Sequence, residues 1–387
     1  MNEPASDITP RTRQCAGALP EPVEALRGTS PYGPPAASPA IDLRLDRNEG
    51  PMPVELREAI ENIGLDAMRD YPDQSPLERS IAADLHIDPR RVLVTNGGDE
   101  AIDRLCRSYF DGGSTAGREI VATVPTFEMI ERSALLAGAI WHSVPWPDET
   151  FPLDWIRDAA GPNTTLVAVV SPNNPTGLSA SESELVDLAR SLPNAILLVD
   201  LAYVEFADDD PTPALLNEPN IVIVRTFSKA YGLAGLRVGW CAGPAPVIDT
   251  LRAAGGPFPV TGPSLAVAEQ AWRNRQRLLP PVLERVRAAR ARLTSLLTDA
   301  GVQVLPSQAN FVFARFDNAD EVRSQLADNG IAVRGFPGHR DLSDALRITC
   351  PTEPADIDRL LSELSGALRH AASRSETNPL PSEDDLL

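Results

Sequence analysis

The stretch Arg225-Thr226-Phe227-Ser228-Lys229-Ala230-Tyr231-Gly232-Leu233-Ala234-Gly235-Leu236-Arg237-Val238-Gly239 decides the fold of this chain. It continues an apolar run, Asn-Ile-Val-Ile-Val at 220–224, whose lack of polar alternation fits a strand buried on both faces. A lysine just past such a strand emerges where ligands of open α/β sheets sit. Ser228 and Arg237 flank Lys229 with a hydroxyl and a guanidinium, both good partners for a phosphate. The glycines between allow tight backbone turns beside a bulky ligand. A Gly-rich connection with a surface lysine would look similar locally, so the neighbouring segments matter.

Composition singles out the same residue. Of 35 basic residues, 34 are arginine and one, Lys229, is lysine. Arginine stays charged at any accessible pH, whereas a lysine amine can lose its proton and condense with an aldehyde. A bias against lysine codons accounts for the scarcity, but not for the survivor's place inside the most motif-like stretch. A nearby arginine and partial burial would depress the lysine pKa and favour that condensation.

Outward from this centre, apolar runs recur at 91–96 (RVLVTN), 119–125 (EIVATVP), 165–172 (TLVAVVSP), 195–200 (AILLVD), 220–227 (NIVIVRTF) and 238–243 (VGWCAG). Helical periodicity separates most of them, at 99–110, 126–138 and 182–192. This pattern predicts an α/β domain with a largely parallel sheet and helices on both faces. From about 264 a long Arg-, Ala- and Leu-rich helical pattern begins, which Pro280 and Pro281 are expected to kink or split. Short strands and helices follow, a smaller α+β domain. The expected organisation is an extended arm at 1–40, a small-domain segment at 41–55, a large domain at 56–263, a linking helix and small domain at 264–372, and an acidic tail at 373–387.

The 387 residues carry a net charge of −19, which opposes broad affinity for nucleic acid or anionic membrane. No apolar run reaches the roughly 20 residues of a membrane-spanning helix, and the N-terminus lacks the pattern of a secretory signal. Four cysteines and four histidines are dispersed without metal-ligand spacing, so no metal site is expected and a reducing cytoplasm is.

Several other segments are ambiguous alone. Asn174-Pro175-Thr176-Gly177 follows a strand and could be only a turn. Asp200 ends the next strand, where a carboxylate is often a cap. Asn96-Gly97-Gly98-Asp99-Glu100 joins a strand to a helix, whose free N–H groups could bind an anion. Phe127 could be an ordinary core residue and Tyr71 a packing one.

Taken together and in this order, these segments resemble fold-type I aminotransferases, with the nearest likeness to the histidinol-phosphate aminotransferase family. The likeness runs from about residue 41 to 370. It implies pyridoxal 5′-phosphate as cofactor, held by Lys229. It further implies that Asp200 pairs with the pyridinium nitrogen and keeps the ring an electron acceptor. Asn174 and Tyr203 would bond the cofactor's phenolic oxygen, and Phe127 would stack on its ring. Ser228, Arg237, Gly98 and Asp99 would fix the phosphate, with Tyr71 reaching it from the neighbouring protomer of a homodimer. Arg347 would grip a substrate carboxylate, and Tyr32, Asn48 and Arg334 would line the substrate pocket.

The implied activity is transfer of an amino group between a small amino compound and a 2-oxo acid, with histidinol phosphate and 2-oxoglutarate as the leading pair. Some positions depart from the family: Leu201 replaces a second acid, Pro259 and Gly262 replace asparagines, and Thr349-Cys350-Pro351 follows Arg347 unusually. A relative acting on another amino acid, by transamination, decarboxylation or oxidation, therefore stays open. A non-catalytic regulator would be expected to lose Lys229, Asp200, Asn174 or Arg237, and all four are present. A dinucleotide enzyme would want Gly-x-Gly-x-x-Gly after the first strand, which the turn at 96–100 does not supply.

Overall fold

The computed structural model describes residues 26–27, 40–110 and 117–377. The chain divides into two compact units, 1–33 and 34–387, and of the first only Leu26 and Arg27 are described. Within the second, β1 (Leu43–Leu45) opens a small sheet. The next strands are β2 (Val92–Thr95), β3 (Glu119–Val124), β4 (Ile140–Pro145), β5 (Thr164–Val170), β6 (Ile196–Asp200), β7 (Ile221–Thr226) and β8 (Gly239–Ala242). They form one sheet in the order β2-β8-β7-β6-β5-β3-β4. β3 pairs parallel with β4 and β5, and β5, β6 and β7 pair parallel in turn, whereas β8 runs antiparallel to both β2 and β7.

β2, β7 and β8 are buried along their whole lengths, as their unbroken apolar runs require. Each face of the sheet packs on its own hydrophobic cluster, one containing Val94, Val169 and Val199 and the other Leu93, Val170 and Leu198. Alternate residues of one strand thus feed opposite layers, the arrangement of a sheet covered by helices on both sides.

A second sheet has the order β1-β11-β12-β10-β9, with β9 at Gln303–Val304, β10 at Phe311–Arg315, β11 at Ile331–Gly335 and β12 at Ala345–Thr349. β1 joins β11 in parallel, so residues 43–45 complete a sheet whose other strands all lie beyond residue 300.

The long helical pattern does break, but not at its prolines. One helix ends at Arg273 and another runs from Arg275 to Asp299 straight through Pro280 and Pro281. The break is pinned by Asp84, which accepts from Trp272 Nε1 (2.6 Å) and pairs with Arg275 (2.9 Å). Both prolines are exposed, so the carbonyls left without an N–H partner face water, while Leu278, Leu279 and Val282 keep the helix seated on the core.

Candidate active site

Lys229 lies beyond the end of β7, in the loop that leads through Arg237 to β8. Its Nζ is 5.5 Å from the centre of the Tyr203 ring. Gly50 lies against the same loop from the N-terminal side. A Cβ on Gly50 would stand 1.7 Å from the Lys229 carbonyl oxygen, and one on Gly232, at φ +66°, would stand 2.5 Å from the backbone of Met52. Only glycine allows these two strips of backbone to touch.

Asp200 closes β6, 4% exposed, and accepts from the Ala202 N–H at 3.0 Å. Burial pushes its acid up to about 7, outweighing the backbone bond and the attraction of Lys229. A sealed carboxylate of this kind fits a cationic ring N–H. Three residues on, Tyr203 is buried with its ring edge against Phe311.

A donor cluster gathers where β2 enters the helix Gly97–Tyr109. That helix has no side-chain cap at its first turn, so its N–H groups point outward unclaimed by a capping side chain. Arg237, held in the left-handed region at φ 54°, donates to Asp99 Oδ2 at 2.9 Å and to Ser228 Oγ at 3.4 Å. Gly97 has φ +77°, and a Cβ there would stand 2.6 Å from the Arg237 guanidinium. Hydroxyl, guanidinium and helix N-terminus together suit a dianionic phosphate. The residues present therefore fit pyridoxal phosphate: an amine, a buried acid, a flat ring nearby and a phosphate cradle.

Asn174 accepts a short hydrogen bond from Arg347 Nη1, and Arg347 Nη2 donates to the Asp46 carbonyl at 2.9 Å. Arg334 and Arg347 are direct partners in the β11–β12 register, so both side chains share one face of the small sheet. Phe127 is half-buried at the start of the helix Glu128–Leu136. Asn48 is buried and bonded to Tyr203 and Thr349. Tyr71 is 82% exposed and stacks on Phe258, centroids 4.5 Å apart. Tyr32 lies outside the described residues.

Gly50, Asp46 and Asn310, which carry no local signal in the sequence, and Thr349, noted there only as a departure from the family, complete the surroundings of Lys229, Arg347 and Asn48. Two departures from the family prove structural. Leu201 is wholly buried in the core, and the acids that match the buried Arg225 are Glu205 (2.7 Å) and Asp210 (2.9 Å). A Cβ on Gly262 would stand 2.1 Å from the Ala67 carbonyl oxygen, so the glycine lets two helices meet. Among the described residues no group of acidic, histidine or cysteine side chains could hold a metal ion.

Residues 42–364 match the family model of aminotransferase class I and II. The histidinol-phosphate aminotransferase of Paracoccus denitrificans is 39% identical over 290 residues, covering 73% of this chain and 77% of that protein. That of Granulibacter bethesdensis is 34% identical over 378 residues, covering 92% and 98%. The solved structure of the Sinorhizobium meliloti histidinol-phosphate aminotransferase in complex with pyridoxal-5′-phosphate superposes with a TM-score of 0.81 at 25% identity, covering 92% of this chain and 99% of that one. With this fold, this cradle and these likenesses, the chain belongs to the class I and II aminotransferases and is a pyridoxal-phosphate-dependent enzyme of that family.

Proposed function

We propose that the chain is a histidinol-phosphate aminotransferase, using a 2-oxo acid such as 2-oxoglutarate as acceptor. The observation that carries this reading is the pairing of Arg334 with Arg347 across β11 and β12. Two guanidiniums on one face suit reactants that each bear an anionic end, the phosphate of the amino donor and the distal carboxylate of the oxo acid. The relatives named above act in that class at 34–39% identity.

In this reading the cofactor, when bound, withdraws electrons from the substrate carbon and carries the amino group between the two half-reactions. Lys229 anchors it and, once freed, takes up the proton leaving the substrate carbon at Nζ. Asp200 holds the ring N–H, Asn174 and Tyr203 donate to the phenolic oxygen, and Phe127 lies against the ring. Ser228, Arg237, Gly98 and Asp99 hold the phosphate. Arg347 binds the oxo-acid carboxylate, with Arg334 as a further substrate contact.

The active unit is proposed to be a homodimer in the cytoplasm. In it Tyr71 serves the partner's phosphate, a large domain at 56–263 carries the cofactor, and residues 41–55 and 264–372 form the smaller domain. Exposed Val54, Leu65 and Met68 beside Tyr71 support the dimer. No helix among the described residues is long and apolar enough to cross a membrane, and Cys106, Cys241 and Cys350 are buried free thiols, which fits a reducing compartment. Adding histidinol phosphate without oxo acid to the cofactor-loaded protein should shift its visible absorbance to that of the aminated cofactor. An unmoved band, with another amino compound moving it, removes histidinol phosphate as substrate.

A further inference from the structure

Asn48 sits in the left-handed region at φ 56°, which asparagine tolerates better than most residues, and its side chain is 1% exposed. Three hydrogen bonds around it form a chain of fixed direction. The Asn48 backbone N–H donates to Thr349 Oγ1 at 3.2 Å. Thr349 Oγ1 therefore spends an acceptor site on the backbone and turns its one hydrogen to Asn48 Oδ1, at 3.0 Å. With Oδ1 thus assigned as the acceptor, Nδ2 is the end that donates to the Tyr203 hydroxyl oxygen, at 3.1 Å. A flipped amide would make Thr349 Oγ1 accept twice, from the Asn48 backbone N–H and from Nδ2, and would take away the acceptor that its own hydrogen has at Asn48 Oδ1. Tyr203 accepts from Asn48, and its own hydrogen is left for another acceptor.

We propose that Asn48 and Thr349 are positioning residues that direct the Tyr203 hydroxyl hydrogen toward the cofactor's phenolic oxygen, an inference that rests on the role given to Tyr203 above. Asn48 is then held behind Tyr203 and does not touch substrate. The backbone amide is the one member that cannot reverse, and it occupies one acceptor site of Thr349 Oγ1, whose hydrogen is given to Asn48 Oδ1. Thr349 lies two residues beyond Arg347 on β12, so one strand carries both the anion-binding guanidinium and the hydroxyl that orders Tyr203. A neutral donor left to rotate spends part of its time pointing elsewhere. The Thr349–Asn48 pair removes that freedom before the cofactor arrives.

The pH at which the bound cofactor's visible absorbance titrates tests this directly. A hydrogen bond from Tyr203 drains charge from the phenolic oxygen. Its loss makes the adjacent Lys229 nitrogen hold its proton more tightly, and the titration moves to higher pH. Tyr203→Phe should raise it by about 1 to 2 pH units, and Asn48→Gly or Thr349→Val by about 0.5 unit or more. Glycine accepts the φ of position 48, valine matches threonine in shape, and Thr349→Ser should restore the parent value. In the Tyr203→Phe background neither Asn48→Gly nor Thr349→Val should move the titration further. If Tyr203→Phe shifts it but the other two do not, or if their shifts persist in that background, the positioning role is overturned while Tyr203 keeps its own. If Tyr203→Phe shifts nothing, the assignment of Tyr203 fails and the proposal fails with it.

Discussion

Sealing Asp200 at the end of β6 costs the fold stability unless a cation lies beside it. Its acid is raised from an ordinary 3.8 to about 7 by burial. The folded protein therefore holds this proton more tightly than the unfolded chain, and stability falls as pH climbs from about 4 to about 7. The penalty is fully developed above that range, at about 4 kcal/mol as an upper figure. A pyridinium N–H opposite the carboxylate reverses the cost. Cofactor-free Asp200→Asn should thus be more stable than the parent at pH 8, by roughly 2 kcal/mol, and little different near pH 4. The same change should cut transamination at least about a hundredfold, since a neutral amide no longer keeps the ring protonated. Thermal unfolding at the two pH values, with and without cofactor, checks this. A variant no more stable at pH 8 contradicts a buried charge at this position. Lys229 stood out in the sequence as the sole lysine just past an apolar strand, whereas Asp200 and Asn174 at their strand ends were ambiguous alone and drew their proposed roles from the family resemblance. The role of Thr349 was not legible there, because its partner Asn48 is 301 residues away, and no local pattern records such a contact.

Among the elements, those easiest to read were the central strands, where burial on both faces demands an unbroken apolar run. β4 escaped notice because it lies at the sheet edge, its residues Ile140–Pro145 are exposed or part-exposed except for Val144, and His142 and Ser143 interrupt the run. β1, three residues long with Arg44 at its centre, gives no periodicity to detect and exists only because β11 is beside it. The split at Asn274 depends on Asp84 gripping both sides of the turn, which proline content alone could not indicate. The loop carrying Lys229 and the segment 48–52 act as one element across their glycine contacts. Gly50→Ala, whose Cβ would overlap the Lys229 carbonyl, should force that loop outward and cost about 1 to 3 kcal/mol in stability. Cofactor affinity should fall about tenfold or more, as anchoring bonds worth roughly 1 to 3 kcal/mol are misaligned. Denaturant unfolding and cofactor titration measure the two effects, and a variant with parental affinity would show the contact to be slack.

On the scale of the whole molecule, Val54 (80% exposed), Leu65 (81%), Met68 (66%) and Tyr71 (82%) crowd apolar surface onto one stretch of chain. Tyr71 is braced there by Phe258, itself half-exposed and in the left-handed region at φ 53°. The homodimer proposed above would cover this stretch with a second copy and place Tyr71 at the partner's phosphate. Leu65→Glu with Met68→Glu should yield monomers by light scattering and weaken cofactor binding about tenfold, the worth of one lost charge-assisted hydrogen bond. A dimer that survives both changes uses another surface. The chain is built around one amine, and its composition makes that unusually direct to test. Borohydride reduction of the cofactor-loaded protein should fix one cofactor per chain, and peptide mass analysis should find it on Lys229, the sole lysine of the sequence. Lys229→Ala should take up none by the same treatment. A loaded protein that gains no mass, or a Lys229→Ala variant that gains it all the same, would mean that Lys229 does not hold the cofactor.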